Sequence, residues 1–296
     1  MNVQQLRVFE KAAACRTITE AAAELGLKQP TVSFHLKKLE ESLGIELFRK
    51  NAGRLTLTRA GEELLPYARR IASLVEEAEQ LMRDHREQGR GKLRIGASYT
   101  PATYFLPAYL AEFQEKHPHT MPLLTVKQAG EVLGMLADYE IDVAVVSLPA
   151  EPIPGLNVVR LVGDELKLAL SPRHPLAVRE AITVDELRME PFLVHEPGST
   201  SRELSERWAR DNGLRWNIRM ELGAIETIKE SVKHGIGIGI LPYRSVIKEA
   251  TEGELAVRDL PGSIPARTIS LVYREEDSLV PQASRFIAFM RGKLEV

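Results

Sequence analysis

Apolar positions in the first sixty residues recur at helical spacing. Leu6, Phe9 and Ala13, with Val3, share one face of a helix from Val3 to Ala14. Thr19 suits the N-cap of a second short helix, Glu20 to Leu25, and Gly26 ends it. Gln29-Pro30 opens a third helix, because proline near a helix start already has the required backbone angle. Two short helices about a glycine turn predict a helix-turn-helix. On the third helix Val32, Leu36, Leu39 and Leu43 form the buried face. Pro30, Phe34, Lys37 and Glu41 lie opposite, flanked by Ser33 and Lys38. Two short apolar segments, Ile45 to Phe48 and Leu55 to Leu57, flank the basic stretch Arg49-Lys50-Asn51-Ala52-Gly53-Arg54 and predict a β-hairpin.

Beyond the hairpin, Leu64, Ala68, Ile71, Val75, Ala78 and Met82 alternate spacings of four and three, a heptad seam. Thr58 caps this long helix, Pro66 should kink or weaken it, and Gly89-Arg90-Gly91 ends it. From Lys92 onward short β-like runs alternate with helical ones. Strands are predicted at Leu93–Gly96, Leu123–Val126, Val143–Val146, Leu166–Leu170, Phe192–His195, Ile218–Glu221, Ile236–Leu241 and Thr268–Tyr273. Helices include Tyr104–Lys116, Arg202–Asn212 and Ile225–Lys233. The alternation predicts an α/β region with largely parallel sheets.

Charge sharpens the N-terminal reading. Lys28 to Arg59 holds seven bases and three acids, although the whole 296-residue chain carries a net −2. A basic patch on an acidic chain points to a polyanion. Phe34, unusual on a solvated face, can pack on a thymine methyl in a major groove, with Gln29, Ser33 and Lys37 reaching base edges or phosphates. Arg49, Lys50 and Arg54 form a basic wing for phosphates or the minor groove. The single cysteine, Cys15, excludes an internal disulfide and reads as a small core residue in a reducing compartment. The N-terminus shows no secretory pattern, and no apolar run reaches the ~18 residues of a membrane span, so a cytoplasmic protein is expected. There is no Walker loop, no nucleophile elbow and no His/Cys metal pattern, which argues against an enzyme and calls for no cofactor. His195 and Glu196 are adjacent at a strand end and point apart, a poor catalytic pair.

In open α/β sheets ligands sit beyond strand ends, beside helix starts. Hydroxyl and amide residues recur there: Ser98, Thr100 and Thr103 after the first strand, Gln128 after the second, and Ser147 after the third. His195, Ser199, Thr200 and Ser201 follow the fifth. Such groups suit a small anion.

Thr17-Ile18-Thr19-Glu20-Ala21-Ala22, Leu25 to Ser33, Leu39 to Gly44, Leu47-Phe48-Arg49 and Leu57-Thr58-Arg59-Ala60-Gly61 together resemble the N-terminal signature of LysR-type transcriptional regulators. Lys92 to Gly96, Ile141 to Val145, Glu196 to Ser199 and Gly237 to Pro242 resemble the same family's effector domain, so the likeness spans nearly the whole chain. It implies a winged helix-turn-helix over residues 1–58, with Thr19, Gln29, Pro30, Thr31, Ser33, Phe34 and Lys37 at the DNA. It implies a linker and dimerisation helix over 59–89 and an effector-binding α/β domain over 90–296. That domain is expected to resemble type 2 periplasmic binding proteins, with lobe I at about 92–161 and 266–296 and lobe II at about 162–265. The implied partners are double-stranded DNA with two-fold related half-sites, an anionic small-molecule effector between the lobes, and a second copy through the linker helix. The usual family assembly is a homotetramer. The family often carries a basic or polar residue where Phe34 stands, so base preference should shift here. No arginine near Ser147 offers itself as a carboxylate anchor, which favours a small oxyanion or compact carboxylate.

Overall fold

The computed structural model describes residues 1–51, 54–86, 91–149, 152–262, 266–275 and 279–293. They divide into two compact units, residues 1–91 with 137–140, and residues 92–136 with 141–296.

The first unit contains α1 (Val3–Ala14), α2 (Ile18–Leu25), α3 (Gln29–Leu43), β1 (Phe48–Asn51), β2 (Arg54–Leu57) and α4 (Arg59–Arg86). Asn2 and Gln5 form a reciprocal capping box at the start of α1. Thr17, not Thr19, caps α2: its hydroxyl accepts from the Glu20 N–H at 3.1 Å, so the helix begins earlier and Thr19 lies exposed in its first turn. Gly26 ends α2 at φ 63°, a left-handed conformation that a side chain disfavours. The core gathers Leu6, Val8, Phe9 and Ala12 of α1 with Val32, Leu36 and Leu39 of α3. Val3 and Leu43, expected on the buried faces, are exposed because both lie at helix ends beyond the packed centre.

The hairpin starts later than the apolar pattern suggested. Phe48 pairs with Leu57 and Asn51 with Arg54, so Arg49 and Lys50 stand on a strand rather than in the turn. Ile45 is exposed. Glu40 explains the start, because its Oε1 accepts from the N–H groups of both Leu47 (2.8 Å) and Phe48 (3.1 Å) and ties the hairpin to α3. Thr58 caps α4 through its Oγ1, which accepts from the Gly61 N–H at 3.1 Å. A Cβ at Gly61 would stand 2.3 Å from the Leu47 carbonyl oxygen and 2.9 Å from Leu57 Cδ2. Gly61→Ala is therefore expected to cost this unit about 1–3 kcal/mol, as overpacked sites do. Denaturant unfolding checks it, and an unchanged midpoint at unchanged slope would reject the contact as a constraint.

The 28-residue α4 runs unbroken through Pro66. Its expected seam is divided. Leu64, Ala68 and Ile71 pack into the unit's own core, because α1 needs cover on that side. Ala78 and Met82 are exposed, as are Tyr67 and Leu74, which the seam did not include.

The second unit begins with β3 (Gly91–Ala97), α5 (Tyr99–Tyr104), α6 (Leu106–Lys116), β4 (Thr120–Val126), α7 (Ala129–Ala137), β5 (Val143–Pro149) and β6 (Asn157–Gly163). It continues with β7 (Leu166–Leu170), α8 (Val184–Leu187), β8 (Phe192–His195), α9 (Thr200–Asp211), β9 (Ile218–Leu222), α10 (Ile225–Lys233), β10 (Ile238–Pro242), α11 (Tyr243–Thr251) and β11 (Ala256–Arg258). β12 (Arg267–Tyr273) and α12 (Pro281–Gly292) close it. Two five-stranded sheets result, ordered β4-β3-β5-β12-β6 and β11-β7-β10-β8-β9. Each is mixed rather than largely parallel. β3 and β5, and β8 with both β9 and β10, run parallel. β12 is antiparallel to β5 and β6, and β7 to β10 and β11. The antiparallel halves arise where the chain leaves one sheet for the other and returns.

Both faces of each sheet are covered. On β5, Val143 and Val145 meet Leu106, Phe113 and Phe286, while Ala144 and Val146 meet Val132 and Leu136. The second sheet packs Leu168, Phe192 and Ile240 on Leu204 and Trp208, and Leu193 and Leu241 on Ile228, Val232 and Val246. Doubly covered strands read as unbroken apolar runs, which is how they were legible. β6 and β11, which are only partly buried, were not among the predicted strands.

Candidate functional site

In the first unit α3 and the hairpin enclose a groove of roughly 1540 Å³, counting its open side. Ser33, Lys37, Glu40, Glu46, Arg49 and Thr56 line it, so the structure brings together three of the expected contacts, Ser33, Lys37 and Arg49. Phe34 stands beside them with 58% of its surface exposed, against the edge of His35. Gln29 donates to Ser33 Oγ at 3.2 Å and holds that hydroxyl on the helix's outer face. Pro30 and Thr19 are exposed and Thr31 is half-buried. The side chains of Lys50 and Arg54 lie outside the described residues. Glu40 was missed: it reads as one acid on a charged face, and only the tertiary structure shows its carboxylate holding the hairpin. Near the other end of α1, Cys15, Glu20 and Glu24 lie close enough to share a ligand. Glu20 accepts from the Arg16 N–H, Glu24 pairs with Lys11 at 3.0 Å, and burial pushes the Cys15 thiol up, so the cluster is already satisfied within the protein.

In the second unit a cleft of roughly 440 Å³, counting its mouth, lies between the two sheets. Ser98, Thr100, Gln128, Ser147, His195, Ser199, Thr200 and Ser201 all line it. Thr103 does not; it is exposed, a turn along α5 from the hydroxyls that reach the cleft. Besides the six-residue α5, three longer helices start on the cleft. Gln128 and Ala129 mark α7, Ser199 to Ser201 mark α9, and Gly223 and Ile225 mark α10. No side chain caps α10, which leaves its first N–H groups open.

An arginine was not expected here, and that expectation is corrected: Arg267 lines the cleft. Its side chain is 3% exposed. Position 267 lies 120 residues beyond Ser147 in the chain, so no local pattern could connect them. Nη2 pairs with Asp164 Oδ2 at 2.7 Å and donates to Thr100 Oγ1 at 3.2 Å, and Nη1 donates to Ser201 Oγ at 2.7 Å. Burial pulls the guanidinium below its usual pKa, and the Asp164 charge opposes this.

The hydroxyls divide into two sets. Each has one proton to donate and two lone pairs to accept with. Ser98 Oγ accepts from the Ser147 N–H (3.0 Å), Thr100 and Ser201 accept from Arg267, and Ser199 Oγ accepts from the Arg202 N–H (3.2 Å). Among the described residues none of these four donates its own proton to a protein group. Ser147 and Thr200 differ. Ser147 Oγ donates to Asp164 (3.0 Å), and Thr200 Oγ1 donates to the Ser147 carbonyl (3.1 Å), so their protons are committed.

His195 is buried with no partner for Nε2. Burial, helped by the charges of Arg267 and Arg202, pushes its pKa down to about 4, so the ring is neutral at pH 7. At the mouth Gln128 Nε2 donates to Glu196 Oε1 (2.8 Å) and to the Pro197 carbonyl (3.3 Å), which joins the two sheets' halves. Tyr104 Oη donates to Glu226 on the far side, and burial, with that bond, pushes its pKa up to about 12.

The family model described as "Bacterial regulatory helix-turn-helix protein, lysR family" matches residues 3–62, and that of the "LysR substrate binding domain" matches residues 86–295. The HTH-type transcriptional regulator CbbR of Xanthobacter flavus is 34% identical over 293 residues, covering 98% of this chain and 87% of that one. A solved full-length OxyR variant of Pseudomonas aeruginosa shares the fold with a TM-score of 0.73 at 22% identity, over 100% of this chain and 95% of that one. The regulatory domain of Synechocystis CcmR in complex with 2-PG matches with a TM-score of 0.63 at 26% identity, over 69% of this chain and 97% of that one.

Proposed function

The chain belongs to the LysR family of transcriptional regulators, and from that premise we propose that a compact oxyanion, bound in the cleft of its second unit, controls how its helix-turn-helix reads DNA. One observation carries the anionic reading. Ser98, Thr100, Ser199 and Ser201 line the cleft, and each accepts from the protein while donating to no described protein group. Three helix N-termini add partial positive charge at the same place. The bound 2-PG of the CcmR domain supports the same class of ligand.

At the DNA, α3 enters the major groove with Phe34, Ser33, Gln29 and Lys37, and Thr19, Pro30 and Thr31 flank it. The hairpin, through Arg49, Lys50 and Arg54, lies along phosphates or the minor groove. Residues 1–58 form the DNA-binding domain, 59–89 the linker and 90–296 the effector domain. Two copies pair through α4, whose exposed Tyr67, Leu74, Ala78 and Met82 supply an apolar face, and two such pairs make a tetramer. Two-fold related half-sites match that symmetry. Among the described residues no helix is long and apolar enough to cross a membrane, and a DNA partner supports a cytoplasmic location.

Mobility-shift titration against promoter DNA and a neutral competitor tests the reading, and equal affinity for both would reject it. Phe34→Ala is expected to lower the specific-to-random affinity ratio by about 1–3 kcal/mol. Arg49→Ala should weaken both DNAs alike and reduce the salt slope by about one. Equal losses on both DNAs for the two variants would reject the division of roles.

A further inference from the structure

Arg267 ties four parts of the second unit together. It is the first residue of β12, where the chain has just returned to the first sheet. Its ion-pair partner Asp164 lies between β6 and β7, where the chain leaves that sheet. The Asp164 N–H also donates to the Arg267 carbonyl at 3.0 Å, so the two crossing segments are joined by backbone and by charge. Two further guanidinium N–H groups donate to Thr100 at the start of α5 and Ser201 at the start of α9, one beside each sheet, while Nε has no partner.

A guanidinium only donates hydrogen bonds. Thr100 and Ser201 must therefore turn lone pairs toward it and their protons elsewhere. Asp164 offsets the charge of Arg267, so the arginine contributes direction to the cleft rather than net charge. Resting on the reading of this cleft as the effector site, we propose that Arg267 is a positioning residue: it aims the Thr100 and Ser201 protons at one oxyanion head group, and the anion contacts those hydroxyls rather than the guanidinium. One ligand then engages hydroxyls from both sheets, and the arginine that orients them spans both crossing segments. Lysine would keep the charge but cannot serve three acceptors in one plane.

Calorimetric titration of the full-length protein with inorganic phosphate, sulfate, acetate and 2-PG tests this. The wild type is expected to bind at least one of them. Thr100→Val and Ser201→Ala should each weaken that ligand about tenfold or more, the loss of a hydrogen bond to a charged group. Thr100→Ser should stay within about threefold, since the hydroxyl survives. Arg267→Lys should weaken binding about tenfold in the wild type but less than about threefold in the Thr100→Val/Ser201→Ala background, because it acts through those hydroxyls. If Arg267→Lys does not fold, the neutral pair Arg267→Gln/Asp164→Asn replaces it. That pair keeps donor groups, and retained binding supports orientation over charge. An equal loss from the arginine change in both backgrounds, or full affinity in Thr100→Val, overturns the proposal and leaves the effector site standing. Binding of none of the four anions by the wild type overturns the effector reading itself, and the proposal with it.

Discussion

Asp164→Ala is expected to destabilise the second unit by about 3–5 kcal/mol, the cost of leaving a buried charge without its partner. Asp164 is 1% exposed and Arg267 is buried with it, so neither can turn to water. The loss should exceed that of any single core hydrogen bond, because two groups are orphaned at once: Arg267 loses its counter-charge, and Ser147 loses the acceptor of its proton. Urea unfolding followed by fluorescence of Trp208 and Trp216, both in the second unit's core, reads it out. Arg267→Met/Asp164→Leu should recover most of the loss, since a well-packed apolar pair often equals a buried ion pair. A single variant within about 1 kcal/mol of wild type would show that water reaches the pair, and the closed geometry would be wrong.

The second large effect is on pH. His195 titrates at 6.5 when free and at about 4 in the fold. Between those values the unfolded chain binds more protons than the native one, so stability rises with pH across that window. Acidification from about 6.5 to about 4 should therefore remove stability, approaching about 3 kcal/mol near the lower end. Above the free value the ring is neutral in both states and contributes no slope. His195→Gln keeps a polar group at the same site and should flatten this part of the profile. Carboxylates will add their own acid sensitivity, so the difference between the two profiles is the measurement. Parallel profiles would mean that His195 is hydrated in the native state.

The helix-turn-helix was legible because its signals are local. Gly26, Pro30 and the spacing of Val32, Leu36 and Leu39 act over a few residues, and each marks a backbone or packing need of its own helix. The details that failed locally are those decided by competition between neighbours. Thr17 and Thr19 both suit a cap, and Thr17 takes the role because α2 begins at Ile18. The hairpin start depends on Glu40, whose partners lie seven and eight residues away across a turn. The α4 seam has the right period for a partner helix, but α1 claims its first half. Periodicity gives a face and does not say what covers it.

Hydroxyls at strand ends could be named from the sequence, because α/β topology places strand ends and helix starts together. Which of those hydroxyls can donate to a ligand could not. Ser98, Thr100, Ser147, Ser199, Thr200 and Ser201 look alike in the chain. They differ only in what each accepts from and donates to, and two of the deciding bonds come from Arg267. The sequence by itself determined the family, the helix-turn-helix and the ring of candidate hydroxyls, since these rest on patterns that span a few turns of chain. The tertiary structure alone decided that a buried ion pair between two crossing segments lies against Thr100 and Ser201, with Arg267 donating to both hydroxyls. Hydrogen bonding acts over about 3 Å in space, and residues 100, 164, 201 and 267 come within that reach only when both sheets are folded.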